Sequence, residues 1–277
     1  LEVELVVKGP NRMQVNGNKV GRVQDLIRHF SATIFGPDDL VLIKGGPNDR
    51  RDYLDHLLVD LDPRIHKLRA DLERILRHRN SLLRQAGGRL SSEVGYTLDV
   101  WDGILQEVGE ALAKERRCLG ERLSPLLDGH LKALTDGEAT VSLSYESSWP
   151  GMTLVTSLKN ARPDDLRRGT TTIGPHRDEL DVVLNGLPAR HHASQLEQRS
   201  LALAMRLAGH RLVAENNGIE PLVVLDDVFS ELDASRSAAL VALLPASQAV
   251  LTSAGDLPSG VEADHRYRVS VGEVEAG

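Results

Sequence analysis

Two adjacent carboxylates, Asp226 and Asp227, end an apolar run near the C-terminal end of the chain. Residues 222–225 (Leu-Val-Val-Leu) do not alternate with polar residues, which is typical of a strand buried on both faces of a parallel sheet. Neighbouring negative charges repel each other and need a cation or a proton. A magnesium ion that carries a nucleotide would meet this need, with one carboxylate on the metal and the next orienting the attacking water. A strand end whose acids face solvent is the simpler alternative.

A second chemical signal lies upstream, where Ser194 and Glu197 have the spacing of a capping box at the start of a helix. The Ser194 hydroxyl would accept a hydrogen bond from a free backbone N–H, and Glu197 would reach back to the cap. The start of such a helix can bind anions, because its amides and its dipole point outward. Most capped helices bind nothing, so this signal alone does not identify a site.

Composition limits the class of protein without identifying a function. The chain has 277 residues with 41% hydrophobic and 26% charged residues, as is usual for a soluble globular protein. No apolar run is long enough to cross a bilayer, and we expect no signal peptide. The single cysteine, Cys118, fits a reducing cytosol. The net charge of −7 argues against binding of nucleic acid by the whole surface, whereas local patches can still bind.

The chain divides into three regions by residue pattern. Residues 1–50 are predicted to be β-rich, with a hairpin at Asn16-Gly17 and with a loop and an apolar strand within residues 35–47. Residues 51–135 repeat leucines at helical spacing, interrupted at Pro63 and at a pair of glycines. This pattern predicts two helices packed antiparallel, which form a helical arm.

The arm carries a local excess of positive charge. Between residues 61 and 89 there are eight Lys or Arg against three Asp or Glu, a difference of +5 (8 − 3). Such a patch could follow a phosphate backbone, or it could be the solvated face of a helix. The candidate contacts with such a backbone are Arg64, Lys67, Arg74 and Arg77. Base stacking is not expected, because aromatic residues make up only 3% of the chain.

Residues 136–277 contain both chemical signals. A predicted strand over residues 179–184 places Leu180, Val182 and Leu184 on one face. A hairpin turn at residues 185–186 then leads to a returning strand over residues 187–192, which precedes the capped helix.

The order of these motifs resembles that of ATP-binding-cassette ATPases, in the branch shared with chromosome-maintenance (SMC) proteins. Within that branch the chain resembles the RecF family of bacterial recombination mediators. Five segments carry this resemblance: residues 35–40 (FGPDDL), 50–55 (RRDYLD), 172–178 (TIGPHRD), 198–204 (QRSLALA) and 225–233 (LDDVFSELD).

The resemblance implies an α/β fold: an ATPase head without its P-loop lobe and with an inserted antiparallel helical arm. Residues 1–50 would be the rest of the N-terminal lobe, 51–135 the arm and 136–277 the C-terminal lobe with signature, Walker B and D-loop. It also implies a cytoplasmic protein that binds ATP, Mg²⁺ and DNA at single-strand gaps and junctions. Such proteins dimerise when ATP is bound and work with RecO and RecR in loading RecA, in replication and in the SOS response.

The same resemblance assigns roles around Walker B. Asp226 would hold Mg²⁺ through water, and Asp227 would act as general base or orient the attacking water. Thr252 stands where the switch segment of the fold is expected.

Five further residues are implied to lie between two protomers. Ser194 would reach the γ-phosphate bound on the opposite protomer, with Gln195 and Glu197 beside it. Ser230 and Asp233 belong to the D-loop and would lie across the dimer interface.

Two departures from the family pattern matter. The sequence contains no G-x-x-x-x-G-K-[ST] phosphate loop, and it begins with Leu1, so we expect an N-terminally incomplete copy with little or no ATP turnover of its own. Leu196 stands where the family signature has glycine, which puts the contact with phosphate across the dimer in doubt.

Two alternatives to a RecF-type ATPase remain at this stage. The chain could be a non-catalytic DNA-binding or interaction module derived from such an ATPase. A transporter subunit of the ATP-binding-cassette class is disfavoured by the arm and by residues 174–178.

Overall fold

A computed structural model describes residues 2–4, 12–15, 17–21, 31–244, 248–255, 257, 261–270 and 273–276. Its helices are α1 (Val41–Lys44), α2 (Pro47–Leu61), α3 (Ile65–Gln85), α4 (Ser92–Leu134), α5 (Leu154–Arg168), α6 (Ala189–His192), α7 (Gln195–Asn217) and α8 (Ala234–Leu243). Short 3-10 turns cover Pro37–Leu40, Pro175–Arg177 and Val228–Glu231.

The strands within the described residues form one parallel and three antiparallel sheets. They are β1 (Glu2–Glu4), β2 (Arg12–Val15), β3 (Asn18–Val20), β4 (Ala32–Phe35), β5 (Val141–Glu146), β6 (Glu179–Leu184), β7 (Leu187–Pro188), β8 (Leu222–Asp226), β9 (Ala249–Thr252), β10 (Tyr267–Ser270) and β11 (Glu273–Ala276). The antiparallel sheets have the orders β1-β2-β3, β5-β6-β7 and β10-β11.

The parallel sheet has the order β4-β8-β9, which places the strand with the twin carboxylates in the centre. Val223 and Leu225 are fully buried on one face of β8. On the other face Val224 is only partly buried, between the exposed side chains of Ile34 and Val250. The prediction of a parallel strand is therefore confirmed, while its burial on both faces is incomplete.

The strand predicted within residues 35–47 is wrong, because residues 41–44 form α1. A short apolar run fits a helix or a strand equally well, and its neighbours decide between them. Here the Asp39 carboxylate accepts a hydrogen bond from the backbone N–H of Gly36 at 3.0 Å, and the turn that this bond closes continues into α1. The strand of this region is β4, which precedes the turn.

Both predicted hairpins are present, but the second has a short returning strand. Val15 lies opposite Asn18 in the β2–β3 pair, which confirms the first hairpin, while Asn16 itself lies outside the described residues. In the second, β7 ends at Pro188 and residues 189–192 form α6, so the strand predicted over residues 187–192 is wrong beyond its second residue. Proline has no N–H for the strand ladder, which explains the early end.

Two helices form the predicted antiparallel arm. α3 and α4 are joined by a short connection, and their contacts run in opposite directions: Leu83 packs with Leu98, whereas Arg79 meets Asp102. α4 has 43 residues and continues from the arm into the main hydrophobic core, where its later turns are buried. No helix among the described residues is long and apolar enough to span a membrane.

A fully buried arginine fastens the arm to α5. Arg79 donates from Nε to Asp102 at 2.8 Å and from Nη1 to Asp165 at 2.7 Å. Arg162 on α5 closes the cluster with a 2.6 Å bond to Asp102. Charges without water need such close partners, because each loses its hydration on burial.

A second buried arginine fastens α4 to α2 and to the loop before β6. Arg116 makes a bidentate pair with Asp55, at 2.7 and 2.8 Å, and donates to the Pro175 carbonyl at 2.6 Å. α4 passes close to this loop at Gly109, where a Cβ would lie 3.2 Å from the Pro175 ring and 2.7 Å from Leu154. The arm and the head are therefore joined by paired charges as well as by apolar packing.

Replacing Asp165 by Ala should lower the free energy of unfolding by about 3–5 kcal/mol, because it leaves Arg79 buried with one carboxylate fewer. Asp164→Ala is a matched control, since this neighbouring acid forms an exposed pair with Arg167 and should change stability by no more than about 0.5 kcal/mol. Chemical denaturation measures both. Equal effects of the two variants would contradict the role given to the buried cluster.

Candidate functional site

The first part of the site lies at the carboxyl end of the central strand. Asp226 ends β8 and Thr252 ends β9, and the two residues lie opposite each other in the parallel register. The Thr252 hydroxyl donates to Asp226 Oδ1 at 2.5 Å, while the Asp226 side chain remains exposed. Ligands of open α/β sheets bind at this edge. The fold thus brings two of the predicted nucleotide-site residues into contact.

Asp227 has a different environment from its neighbour. Its backbone is left-handed, with φ 49° and ψ 28°, a conformation that is uncommon outside glycine. Its N–H donates to the carbonyl and to the hydroxyl of Thr252, both at 3.2 Å. Its Oδ1 is buried and has no hydrogen-bond partner among the described residues. Buried carboxylate oxygens require a partner such as water or a cation, so this atom is a candidate for direct participation in chemistry.

A small cavity adjoins this carboxylate at the ends of β4 and β8. Its volume is about 40 Å³, and its lining includes Phe35, Asp39, Arg199, Asp227 and Glu231. This volume admits only a few water molecules and is far smaller than a nucleotide. The cavity is therefore part of the surroundings of the carboxylate and not a nucleotide pocket.

The second part of the site is the start of α7, where the predicted capping box is confirmed. Ser194 Oγ accepts from the Glu197 N–H at 3.3 Å, and Glu197 Oε2 accepts from the Ser194 N–H at 2.7 Å. The bonds from Ser194 lower the pKa of the Glu197 carboxyl, which keeps this side chain ionised at neutral pH. Gln195 and Leu196 are exposed in the same turn. The remaining amides of this turn can still receive an anion.

Two contacts within the chain connect these two parts. Arg199 on α7 pairs with Glu231 at 2.9 Å, four residues after Asp227. Arg236 on α8 donates to Ser200 Oγ at 3.1 Å. Sequence reasoning missed these pairings, because no spacing rule relates residues that meet only after α7 packs on the turn after β8.

The predicted D-loop residues lie directly after the twin acids. Ser230 Oγ donates to the carbonyl of Asp227 at 2.8 Å. Asp233 caps α8 by accepting from the Arg236 N–H at 2.8 Å, and this bond lowers the pKa of its carboxyl. Both residues are exposed. They therefore shape the turn while remaining open to a neighbouring molecule.

Residues 172–178, which carried much of the family resemblance, have a structural role. Asp178 accepts from the Ser148 N–H at 2.8 Å and from the Tyr145 hydroxyl at 2.5 Å. Burial lowers the pKa of His176 to about 4, so the ring is neutral at pH 7 and its Nε2 lies 3.0 Å from the Thr171 carbonyl. This segment joins the arm to the head. Its acid, Asp178, is buried, and its exposed charged side chain, Arg177, donates to the carbonyl of Thr171 at 3.2 Å.

The four candidate DNA contacts lie together on the arm, away from the twin acids. Lys67, Arg74 and Arg77 are exposed on α3, and Arg64 is exposed at its start. Arg64 pairs with Asp62 and Arg74 with Asp71, both at 2.8 Å. These exposed pairs are weak, so the two arginines can exchange them for phosphate at little cost.

The side-chain oxygens at the end of β8 are of the kind that a magnesium ion binds. Carboxylate and hydroxyl oxygens are available from Asp226 and Thr252, and Mg²⁺ prefers oxygen ligands together with retained water. Across the described ranges no group of three or more His, Cys, Asp or Glu side chains could hold a metal by itself. A magnesium ion here would thus depend on water and on substrate phosphates for its other ligands.

Comparison with known proteins relates the chain to one family, although no protein-family model matches it. It is 37% identical over 300 residues to the "DNA replication and repair protein RecF" of Kineococcus radiotolerans, covering 98% of this chain and 77% of that protein. It is 41% identical over 294 residues to the protein of the same description from Streptomyces avermitilis, covering 99% and 78%.

Solved structures agree with this relation. A structure described as "the recombination mediator protein RecF-ATPrS in RecFOR pathway" matches with a TM-score of 0.83 and 29% identity, over 98% of this chain and 74% of the other. The Smc head domain of Pyrococcus furiosus matches with a TM-score of 0.50 and 16% identity, which supports a shared fold alone. The predicted ATPase-head fold with an inserted arm is confirmed.

Replacing Ser194 by Ala should lower the free energy of unfolding by about 1 kcal/mol, because the first turn of α7 loses its cap. Ser194→Asn should retain most of that stability, since asparagine caps equally well. Thermal or chemical unfolding distinguishes the two variants. A loss of similar size in both would mean that the hydroxyl does more than cap the helix.

Proposed function

The chain belongs to the RecF family of DNA replication and repair proteins, and on this basis we propose that its head binds ATP with magnesium between two protomers while its arm contacts DNA. The observation that carries the proposal is the meeting of Asp226, Asp227 and Thr252 at the carboxyl end of the central parallel strand. The relatives' structures described as RecF-ATP and RecF-ATPrS support the choice of nucleotide.

In this proposal the two carboxylates have different roles. Asp226 holds magnesium through water, and Thr252 fixes the orientation of its carboxylate through the 2.5 Å bond. Asp227 orients or deprotonates the attacking water with its unpartnered oxygen. Bound magnesium would neutralise charge on the phosphate oxygens. Catalysis of this kind depends on positioning and on charge stabilisation.

The remaining site residues face a second protomer in the proposed assembly. Ser194 binds the γ-phosphate held by the other subunit, with Gln195 and Glu197 in the same turn. Ser230 and Asp233 contact the other subunit from the D-loop. Support comes from the exposure of Ser194, Ser230 and Asp233, and from the Arg199–Glu231 and Arg236–Ser200 contacts, which join the start of α7 to the segment after β8. Leu196 adds an apolar side chain where close approach of phosphate favours glycine.

The arm is proposed to bind the DNA backbone at single-strand gaps and at junctions of single- and double-stranded DNA. Arg64, Lys67, Arg74 and Arg77 supply positive charge, and the low aromatic content favours contacts to phosphate over stacking on bases. By analogy with relatives of the RecFOR pathway, the partners would be RecO and RecR, and the outcome RecA loading and support of replication and the SOS response in the cytoplasm.

A second candidate function is a DNA-binding or interaction module without turnover. The observation that favours it is Leu196, an exposed apolar residue in the first turn of α7, where close approach of phosphate favours glycine. The two functions differ in what the twin carboxylates do, and the same acid substitutions distinguish them.

The ATPase proposal is tested with the chain joined to the P-loop segment of a RecF relative. Asp227→Asn should lower ATP turnover by about 100-fold or more with ATP binding retained, because the water loses its orienting group. Asp226→Asn should weaken binding of ATP only when magnesium is present. Asp164→Asn, which changes an exposed acid on α5, is the control. Turnover unchanged in Asp227→Asn would favour the non-catalytic module.

The DNA proposal predicts a change in salt dependence. Lys67→Ala and Arg77→Ala should each weaken binding of gapped DNA at every sequence and reduce the slope of log K against log salt by about 1. Arg167→Ala, an exposed arginine on α5, should change neither quantity. Fluorescence anisotropy at several salt concentrations measures the slopes. Identical slopes for all variants would place DNA elsewhere on the protein.

A further inference from the structure

An apolar stripe is exposed on the arm, on the opposite side from its core. Tyr96, Val100 and Ile104 follow one another at intervals of four residues along α4 and are 74%, 62% and 39% exposed. Leu98 and Leu105 on the other side of the same turns are fully buried. No element in the described part of the chain covers these three residues, which we call the outer stripe. Contiguous exposed apolar residues on a soluble surface mark a place of interaction.

The rest of this helix face is built from small and charged residues. Residues of α4 that share the side of the outer stripe recur at three- and four-residue intervals. They are Glu93, Gly103, Glu107, Ala111 and Lys114. A Cβ added to Gly103 would meet nothing within 4 Å, so the space above this residue is open.

We propose that a second copy of this chain covers the outer stripe, with the two α4 helices antiparallel and a two-fold axis between Gly103 and Ile104. In this register Ile104 of each copy lies opposite Gly103 of the other, and Tyr96 lies opposite Ala111. Large side chains therefore meet small ones on both sides of the axis. A two-fold contact between identical chains requires a self-complementary face of this kind.

The charges favour the same arrangement. Glu93 of each copy lies opposite Lys114 of the other, so that an opposite-charge pair closes each end of the contact. Val100 lies opposite the aliphatic part of Glu107, whose carboxylate reaches solvent at the edge. A parallel pairing would instead oppose Glu93 with Glu93 and Lys114 with Lys114. Complementary charge thus selects the antiparallel orientation.

The contact is separate from the proposed nucleotide site. It involves α4 of the arm, whereas Asp226, Asp227 and Ser194 lie on the head. Three apolar side chains from each copy make an interface well below the standard size of about 1,600 Å². We therefore infer a weak, reversible association of arms that needs neither ATP nor DNA, and its test is independent of the proposed function.

Sedimentation of the full chain without nucleotide or DNA tests this inference. The chain should dimerise reversibly with concentration, and Val100→Ser should weaken dimerisation by about tenfold or more. Leu187→Ser is the matched control, because Leu187 on β7 is also an apolar residue with more than half of its surface exposed, and it should leave association unchanged. A chain that stays monomeric at all concentrations, or an equal effect of the two variants, would overturn the proposal.

Charge reversal tests the register. Glu93→Lys and Lys114→Glu should each weaken dimerisation, and the double variant should restore it, since the opposite charges then meet again. Glu121→Lys lies further along the same helix and should have no effect. No restoration in the double variant would exclude the proposed antiparallel register.

Cross-linking locates the axis. In a Cys118→Ser background, Gly103→Cys should form a covalent dimer on oxidation, because the two Cys residues would lie beside the axis. Glu121→Cys serves as the control, since this position is far from its equivalent in the other copy. Equal cross-linking of both variants would contradict the proposed contact.

Discussion

Buried guanidinium groups are the constraint on which this structure depends. Arg79 and Arg116 have lost their water, and carboxylates from other elements offset the cost of burying each charge. A pair of this kind tolerates little displacement, since a shift of one partner leaves the other charge unsatisfied. The positions of α2, α3, α4 and α5 are therefore fixed relative to one another more narrowly than apolar packing alone would require.

A few specific contacts also define the candidate site. Asp226 shares a hydrogen bond with Thr252, whereas Asp227 adopts a left-handed backbone and keeps one carboxylate oxygen buried without a partner. The two aspartate side chains are chemically identical and adjacent in the chain, yet their environments differ. Arg199 and Glu231 then hold the start of α7 in a fixed relation to the turn that follows.

Much of this arrangement could be predicted from the sequence, because the signals were local. The capping box at Ser194, the arm helices and the central parallel strand each follow from spacing and residue type. The helix at residues 41–44 and the early end of β7 at Pro188 could not be predicted from apolar pattern, since tertiary neighbours and a missing N–H decide them. The pairings of Arg199, Arg236, Arg79 and Arg116 join residues far apart in the chain, and only the folded topology brings them together.

The continuity of α4 has a mechanical consequence. At 1.5 Å per residue its 43 residues extend about 65 Å, from the end of the arm to the core beneath α7. Pro125 removes a backbone hydrogen bond near the core end, but the stretch from Ser92 to the buried Arg116 contains no proline and extends about 36 Å, so it can act as a lever anchored at Arg116. Rotation of this stretch by about 10° about Arg116 would move Ser92 by about 6 Å, by the geometry of a rigid rod of that length. A small rotation in the head would thereby move the tip of the arm by several ångströms.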